Sequence, residues 1–442
     1  MANYTVQGGH SLNLSSDTSN DYITVLGPSG TVSAGSGNDS VNALGNAKVT
    51  LGSGRDTVNV HGVGQVTVGN GNDSITVGSG TVSAGSGSDY VSVGGSGSVN
   101  VGTGSGPVGN STIIFGGNAT VTAGNGSDSV SVGGSGKITL GSGSDAVKVG
   151  GAGQVTAGGG NDSIAVGSGT VSAGNGSDSV SVGGSGKVTL GSGNDTVKVV
   201  GAGSVTAGGG NDSISIGSGT VSVGSGADTI SIGGNATLTA GNGNDSVSVG
   251  GSGKITLGSG SDTITLGSGS DTLVAAGHAT VAGSLGSATM VGGQLQYTSG
   301  GAMLSATSGA ATLAGGSGSN RFIGGTGSVS MLGGAGNDTF VGGGGTGTDT
   351  MVGALGTTNV FEVVSAGSTS RSAINPDHII QNFVHGHDTL YVEGHSYSYL
   401  LSHHDITTSG GNTIITLDGG KTVIELQGYT TLSASDITTT KS

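Results

Sequence analysis

Aspartate residues recur in this sequence at almost fixed intervals, each within a G-x-G-x-D segment followed by alternating Val or Ile. From Asp39 to Asp262 the intervals are 17, 17 and 16 residues and then repeat, apart from one break, which gives a larger period of 50 residues. A fixed period of this kind is typical of a chain that winds into stacked coils. Carboxylates that recur once per coil are then expected to lie in a line along the stack.

Such a line of carboxylates predicts a series of divalent cation sites. Neighbouring coils in parallel register lie about 4.8 Å apart, and unbridged carboxylates at that spacing repel by roughly 1 kcal/mol per pair in water. Calcium is the favoured cation because it accepts about six to eight oxygen ligands in flexible geometry, which Asp and backbone carbonyls can supply. Zinc would require His or Cys, and magnesium would require stricter octahedral geometry.

The series is irregular at two positions. Asp271 follows Asp262 by nine residues, about half a coil, and is expected on the opposite edge of the stack. At Gly106 the expected acid is missing, so an insertion containing Pro107 is expected to bulge out and remove one site. Together with backbone carbonyls of the adjoining glycine turns, the predicted ligands are Asp39, Asp56, Asp73, Asp89, Asp128, Asp145, Asp162, Asp178, Asp195, Asp212, Asp228, Asp245, Asp262, Asp271 and Asp338.

The segments between the aspartates predict two short strands per coil. In GNGSDSVSVGGSGKVTL, residues 174–190, a glycine turn precedes each strand. Alternation with a period of two places Val180 and Val182 on one side of the first strand, and Val188 and Leu190 on one side of the second. We therefore expect a thin, continuous core of small apolar residues, with Ser, Thr, Lys and Asn facing water.

Composition is consistent with this architecture and excludes several classes of protein. The chain has 442 residues, of which 100 are glycine, with 3% aromatic residues, no Trp and no Cys. A flexible, disordered linker is the alternative for such a composition, but the strict period argues against it. The net charge of −15 with 11 scattered Lys and Arg argues against nucleic-acid binding. No apolar run is long enough for a membrane span.

One copy of the repeat resembles a known family. GGAGNDTFV at residues 333–341 matches the G-G-x-G-x-D-x-U-x repeat in full, and the chain resembles the RTX, or haemolysin-type calcium-binding, family. The resemblance implies a parallel β-roll with calcium between the Asp turns of adjacent coils, and type I secretion through an uncleaved C-terminal signal. In this sequence the second turn of each coil carries no acid, so calcium is expected along one edge only.

A second departure from the family concerns the first glycine of the motif. Apolar residues replace it, as in Ala34, Leu51, Val68 and Ala84. The coil is therefore expected to shorten to about 17 residues and to gain one core side chain. The predicted fold is all-β, a parallel β-roll or β-solenoid with a one-sided calcium ladder and a small β-rich C-terminal cap.

Five regions follow from the changes in composition. They are a start or cap of the solenoid at 1–34, the calcium-binding roll at 35–282, an acid-free continuation at 283–332, final repeats at 333–360, and a C-terminal cap and secretion-signal region at 361–442. A loose linker is the alternative for 283–332. The last region contains His378, His385, His387, His395, His403 and His404, which could form a transition-metal site or a pH switch. Exposed loop histidines are the favoured interpretation.

Functional expectations follow from these features together. No nucleophile elbow, H-E-x-x-H motif or phosphate-binding loop is present, so we do not expect an enzyme. The leading hypothesis is a secreted, calcium-dependent structural protein that polymerises with itself into filaments or a surface or biofilm matrix layer, with a cell-surface polysaccharide as a further partner. The alternative is a secreted binding module, either an adhesin or an ice-binding calcium solenoid.

Overall fold

The fold is all-β, with 54% of residues in strands and 2% in helix. In the computed structural model the described residues are 2–102, 109–267, 269–283, 287–297, 302–306, 310–344, 347–363, 377–417, 419–420 and 422–441. They form two compact units, Met1–Gly217 and Ser218–Ser442. Both units consist of parallel coils of about 17 residues, about 20 coils in all, which confirms the predicted parallel β-solenoid.

The first unit contains strands β1 to β19 and the beginning of β20. They are β1 (Ala2–Gln7), β2 (Ser11–Leu14), β3 (Asp21–Leu26), β4 (Ser29–Ala34), β5 (Ser40–Ala43), β6 (Asn46–Thr50), β7 (Thr57–Thr67), β8 (Ser74–Ser83), β9 (Tyr90–Val93), β10 (Gly97–Asn100), β11 (Thr112–Phe115), β12 (Ala119–Thr122), β13 (Ser129–Val132), β14 (Gly136–Thr139), β15 (Ala146–Thr156), β16 (Ser163–Ser172), β17 (Ser179–Val182), β18 (Gly186–Thr189), β19 (Thr196–Thr206) and β20 (Ser213–Ser222).

The second unit contains the remaining strands and a short helix. They are β21 (Thr229–Ile232), β22 (Ala236–Thr239), β23 (Ser246–Val249), β24 (Gly253–Leu257), β25 (Ser261–Leu266), β26 (Ser270–Gly283), β27 (Ser287–Tyr297), β28 (Met303–Ser305), β29 (Ala311–Ala314), β30 (Arg321–Ile323), β31 (Val329–Leu332), β32 (Thr339–Val341), β33 (Asp349–Val352), β34 (Val360–Val363), β35 (His378–Gln381), β36 (Thr389–Val392), α1 (Tyr397–Ser402), β37 (Ile406–Ser409), β38 (Asn412–Leu417), β39 (Thr422–Leu426) and β40 (Ile437–Thr438).

Strands of the coils pair in parallel with the equivalent strands of neighbouring coils. Ser129 of β13 pairs with Ala146 of β15, which pairs in turn with Ser163 of β16. The second strands form their own column, in which Gly136 pairs with Gly153. Because the register is kept from coil to coil, a residue at one position in the repeat forms a straight row along the stack.

The core is as thin as the alternation predicts. Val182 and Val188 are fully buried, while the residues between the core positions face solvent. The apolar residues that replace the first glycine of the motif also enter the core, since Leu51 and Val68 are 4% and 3% exposed. Apolar burial at every coil supplies the main stabilising contribution to such a stack.

Parallel pairing continues through the acid-free region of the second unit. Met303 of β28 pairs with Arg321 of β30, and Ala311 of β29 pairs with Val329 of β31. A row of aromatic rings begins in this region at Phe322 and continues into the later coils. Phe322, Phe340 and Phe361 are stacked at centroid distances of 5.0 Å, Phe383 is tilted against Phe361 at 5.9 Å, and Tyr429 meets Phe383 edge to face at 5.1 Å.

The C-terminal part is small and rich in β-structure, as expected. Strand β35 pairs in parallel with β33 and β39, and β36 pairs with β34 and β40. Antiparallel strands β37, β38 and β39 follow one another at this end. The parallel columns therefore continue into 361–442, and the antiparallel strands lie at their end.

Candidate metal centre

The aspartates of the main series form a hydrogen-bonded ladder along one edge of the coils. The backbone N–H of Asp39 donates to Oδ1 of Asp56 at 2.9 Å, and that of Asp56 donates to Oδ1 of Asp73 at 2.8 Å. The same bond recurs at 2.8 to 3.0 Å through the later coils. One oxygen of each carboxylate is therefore held by the backbone of the preceding coil.

The second oxygen of these carboxylates is buried. The ladder side chains are between 1% and 3% exposed. Burial of a carboxylate oxygen without a donor is costly, because the protein replaces none of its lost hydration. Among the described residues no donor reaches Oδ2 of Asp39, Asp56, Asp73, Asp89, Asp128, Asp145, Asp162, Asp178, Asp195, Asp245 and Asp262.

Burial also changes the acidity of the ladder. Desolvation raises the pKa of Asp56 and Asp145 from 3.8 to about 7, against the opposing effect of the backbone N–H and with a further increase from the neighbouring carboxylates. For the same principal reason the pKa of Asp89 and Asp178 rises to about 6. The ladder therefore favours protons or metal cations at its second oxygens over free negative charge.

The glycine turn brings backbone carbonyls close to the ladder. Gly71, two residues before Asp73, has φ +152°, and a Cβ there would overlap the carbonyl oxygen of Gly54 in the preceding coil. Glycine is required at this position for both reasons. Not all turn carbonyls are equally available, because the oxygen of Asn70 already accepts a hydrogen bond from the N–H of Gly54 at 3.0 Å.

The rung that lacks an acid is Ser111 and not Gly106. Ser111 occupies the ladder position, since its N–H donates to Oδ1 of Asp128 at 2.7 Å and its Oγ accepts from the N–H of Asp89 at 3.3 Å. Gly106 lies outside the described residues. The expected loss of one carboxylate is therefore correct, but the spacing alone could not show on which side of the insertion the rung falls.

Asp271 lies on the opposite edge, as its half-coil spacing predicts. Its Oδ1 accepts from the N–H of Gly253 at 2.7 Å, and Gly253 begins the second strand of its coil. Asp338 belongs to the same column, because the pairings of β26, β27, β28, β30 and β32 place it there. Within the second unit, Asp245 and Asp262 therefore lie on one edge, and Asp271 and Asp338 lie on the other. Asp349 begins β33 in the column of the first strands, so the later acids occur on both edges.

Asparagine alternates with aspartate on this second edge, a pattern that the sequence reasoning missed. The N–H of Asn320 donates to Oδ1 of Asp338 at 2.8 Å, and the N–H of Asp338 donates to Oδ1 of Asn359 at 3.2 Å. The Asn359 side chain donates in turn to Asp388 Oδ1 at 3.1 Å, and Asp388 Oδ2 accepts from the N–H of Val384 at 2.9 Å. Protein donors therefore reach both oxygens of Asp388.

Asp338 differs from its neighbours on this edge and resembles the main ladder. Its Oδ2 is buried with no donor among the described residues, and burial raises its pKa to about 6. Asp271 Oδ2 has the same environment. These two carboxylates are therefore the candidates for cation binding on the second edge.

Asp21 is a further rung that the motif search did not include. It is 1% exposed, and its N–H donates to Oδ1 of Asp39 at 2.9 Å. The preceding residues contain no G-x-G, which is why the motif did not identify it. The alternating sequence D-Y-I-T-V after Asp21 is the signal that could have done so.

The donor set fits calcium better than a metal that requires imidazole or thiolate. In the part of the chain that the structure describes, no three side chains of His, Cys, Asp or Glu converge on one position. A cation between two rungs would therefore be held by neighbouring carboxylates and turn carbonyls. An all-oxygen set of mixed side-chain and backbone ligands is typical of calcium sites in proteins.

The C-terminal histidines do not converge on a site either. His378 is buried in β35, with Nδ1 3.6 Å from Asp349 Oδ2, and the Nδ1 of His385 lies 2.7 Å from Asp436 Oδ1. The expectation of exposed loop histidines is therefore wrong for His378. The other four, His387, His395, His403 and His404, are exposed or half-exposed.

A scan against protein-family models finds no match, and no curated protein matches the sequence. The resemblance to the RTX family therefore rests on the repeat itself. No helix among the described residues is long and apolar enough to cross a membrane.

Proposed function

We propose that this protein is an extracellular structural protein whose solenoid folds on binding calcium and assembles with itself into filaments or a surface or matrix layer. The observation that carries this proposal is the ladder of buried carboxylates, eleven of which have a second oxygen that no donor in the described part of the chain reaches. Calcium at these positions would supply the missing positive charge and accept the carboxylate and carbonyl oxygens as ligands. The ladder residues hold and align those oxygens through their backbone hydrogen bonds.

Calcium dependence accounts for export as well as folding. Where free calcium is low, the ladder opposes folding, because buried carboxylates must lose hydration or bind protons. At the higher calcium concentration outside a cell, binding to the folded state alone would shift the equilibrium toward the solenoid. A chain that is unfolded inside the cell could pass through a secretion channel.

The repetition of the outer surface supports self-assembly. Outward side chains recur every three coils, as Lys137 and Lys187 do, so a contact formed with a neighbouring copy can be repeated three coils later. Many weak, identical contacts between two copies together give a strong association, as in other multivalent interactions. A solenoid that serves as a binding module would use the same columns for a different partner.

The proposal is tested by circular dichroism and electron microscopy of the purified chain with EDTA, millimolar calcium or millimolar magnesium. We expect strong β-structure and ordered filaments or sheets with calcium, and weaker β-structure without filaments or sheets with EDTA. Magnesium is the control for general charge screening. β-structure without assembly would favour the binding module, and β-structure that is equal in EDTA and calcium at pH 8 would contradict calcium-dependent folding.

A further inference from the structure

The surface charge of the first unit is opposite in sign to the charge of the chain. Every fully exposed charged side chain in its described part, 2–102 and 109–217, is basic, and Asp17 is the only acid there that is not buried. All its other acids belong to the ladder and lie below 4% exposure. The exposed basic residues are Lys48, Arg55, Lys137, Lys148, Lys187 and Lys198.

Three of these lysines stand in one straight row on the outer face of the second strands. We call this row the basic column, and parallel pairing connects its members without a gap. With coils about 4.8 Å apart, its lysines are separated by about 24 Å and about 14 Å. The basic column consists of Lys48, Gln65, Thr81, Ser98, Thr120, Lys137, Gln154, Thr170, Lys187 and Ser204.

A second row runs beside the basic column, two residues further along each strand. Except for one Asn, its members are Thr or Ser, and the same strand pairings connect them, so we call it the hydroxyl column. It consists of Thr50, Thr67, Ser83, Asn100, Thr122, Thr139, Thr156, Ser172, Thr189 and Thr206.

The two columns border a groove near the beginning of the row. The groove has a volume of about 350 Å³ and is lined by Lys48, Gln65 and Asn100, by the Ser and Thr residues between them, and by Val66 and Val82. Its polar groups are ammonium, amide and hydroxyl groups, which donate or accept hydrogen bonds. Such a surface fits a partner that carries many hydroxyl groups and some negative charges.

We infer that the face formed by the basic and hydroxyl columns binds an extended acidic polysaccharide that lies along the stack. Sugar hydroxyls would pair with the Thr, Ser, Asn and Gln side chains, and uronate carboxylates would meet the lysines. A polysaccharide chain that lies along the stack would contact several coils at once, and many weak contacts together give a stronger interaction. This inference rests on the proposed function, because the face forms only when the ladder is neutralised and the coils are stacked.

The test compares two sets of lysine substitutions in the calcium-bound full chain. The first variant replaces the column lysines, Lys48→Ser, Lys137→Ser and Lys187→Ser, since Ser already stands at two positions of that row. The matched control, Lys148→Ser with Lys198→Ser, removes lysines from the outer face of the first strands, where Ser131 and Ser181 occupy equivalent positions. Binding to immobilised hyaluronate is measured, with dextran as the neutral polysaccharide and polyglutamate as the anion without sugar.

We expect hyaluronate to bind the unsubstituted chain, and binding to weaken as salt screens the charges. The triple variant should bind about tenfold more weakly, from three exposed charge pairs, and the double variant should change by less than about twofold. Equal losses in the two variants, equal binding of dextran, or equal binding of polyglutamate would each overturn the inference.

Circular dichroism of the same samples separates this inference from the proposed function. A chain that folds in calcium but does not bind hyaluronate contradicts the inference alone. A chain that stays unfolded in calcium contradicts the proposed function. Because the face exists only on stacked coils, that result would overturn the inference as well.

Discussion

Replacing Asp145 with Asn tests directly whether the ladder carboxylates bind a cation. The substitution keeps the Oδ1 acceptor, which now receives the N–H of Asp128 at 2.8 Å, and removes the negative charge. Asn320 shows that an amide suits a rung, because its side chain donates to the carbonyl of Gly318, two residues earlier, at 2.7 Å. The Gly143 carbonyl is the equivalent acceptor for the introduced amide.

The size of the effect follows from the acidity of Asp145. Burial raises its pKa from 3.8 to about 7, which corresponds to about 4 kcal/mol for holding the charged form at pH 8. Screening by water at the surface turn reduces this cost to about 2 kcal/mol. In EDTA at pH 8 we therefore expect Asp145→Asn to raise the free energy of unfolding by about 2 kcal/mol. In millimolar calcium we expect the opposite sign, because a ligand has been lost.

Urea denaturation followed by circular dichroism measures both effects. Asp388→Asn is the matched control, since protein donors reach both Asp388 oxygens, and its effect should be the same with and without calcium. If Asp145→Asn shifted the urea midpoint in the same direction with EDTA and with calcium, the carboxylate would not be acting as a cation ligand, and our interpretation of the ladder would be wrong.

Three other predictions concern the ladder, the turn and the core. Because burial raises the pKa of Asp56 and Asp145 from 3.8 to about 7 and that of Asp89 and Asp178 to about 6, the stabilisation from their protonated forms is present in acid and is lost as pH rises through those values. The calcium-free chain should therefore have a higher urea midpoint at pH 5 than at pH 8, and equal midpoints would contradict this. Gly160→Ala should lower the free energy of unfolding by about 2 kcal/mol or more, because Gly160 has φ +130° and its Cβ would overlap the Gly143 oxygen. Gly159→Ala should be nearly neutral in the same urea titration, because its Cβ would make only an ordinary contact, 3.6 Å from the Asn175 oxygen. Phe340→Ala should cost about 3 to 5 kcal/mol in thermal or urea unfolding, since Phe340 is fully buried between two stacked rings, and Phe340→Leu should cost much less.

Much of the fold could be predicted from the sequence because the repeat is short and strict. Alternation of apolar and polar residues identified the inward side chains correctly, as Val182 and Val188 show. The aspartate period placed the main ladder, and the half-coil step placed Asp271 on the other edge. Each of these predictions depends only on counting residues within or between adjacent coils.

Other ladder residues could be identified only from the tertiary structure, because the spacing of residues along the sequence does not reveal them. An insertion changes the spacing without showing which residue returns to the ladder, so Ser111 was missed. Irregular coils conceal the alternation of Asn320 and Asn359 with Asp338, because their intervals vary in length. Asp21 was missed because its turn uses other residues in place of glycine.

The repeating coil, the thin core and the line of acids can be predicted from the amino-acid sequence, because local alternation and a fixed period encode them. The packing of the coils then sets which carboxylate oxygens lack a protein donor and which charged side chains reach solvent. Hydrogen bonds between coils bury the acids and leave the lysines outside, so a chain with a net charge of −15 presents a basic face in its first unit. The burial of each acid depends on residues in the adjacent coils, and the amino-acid composition does not show which residues these are.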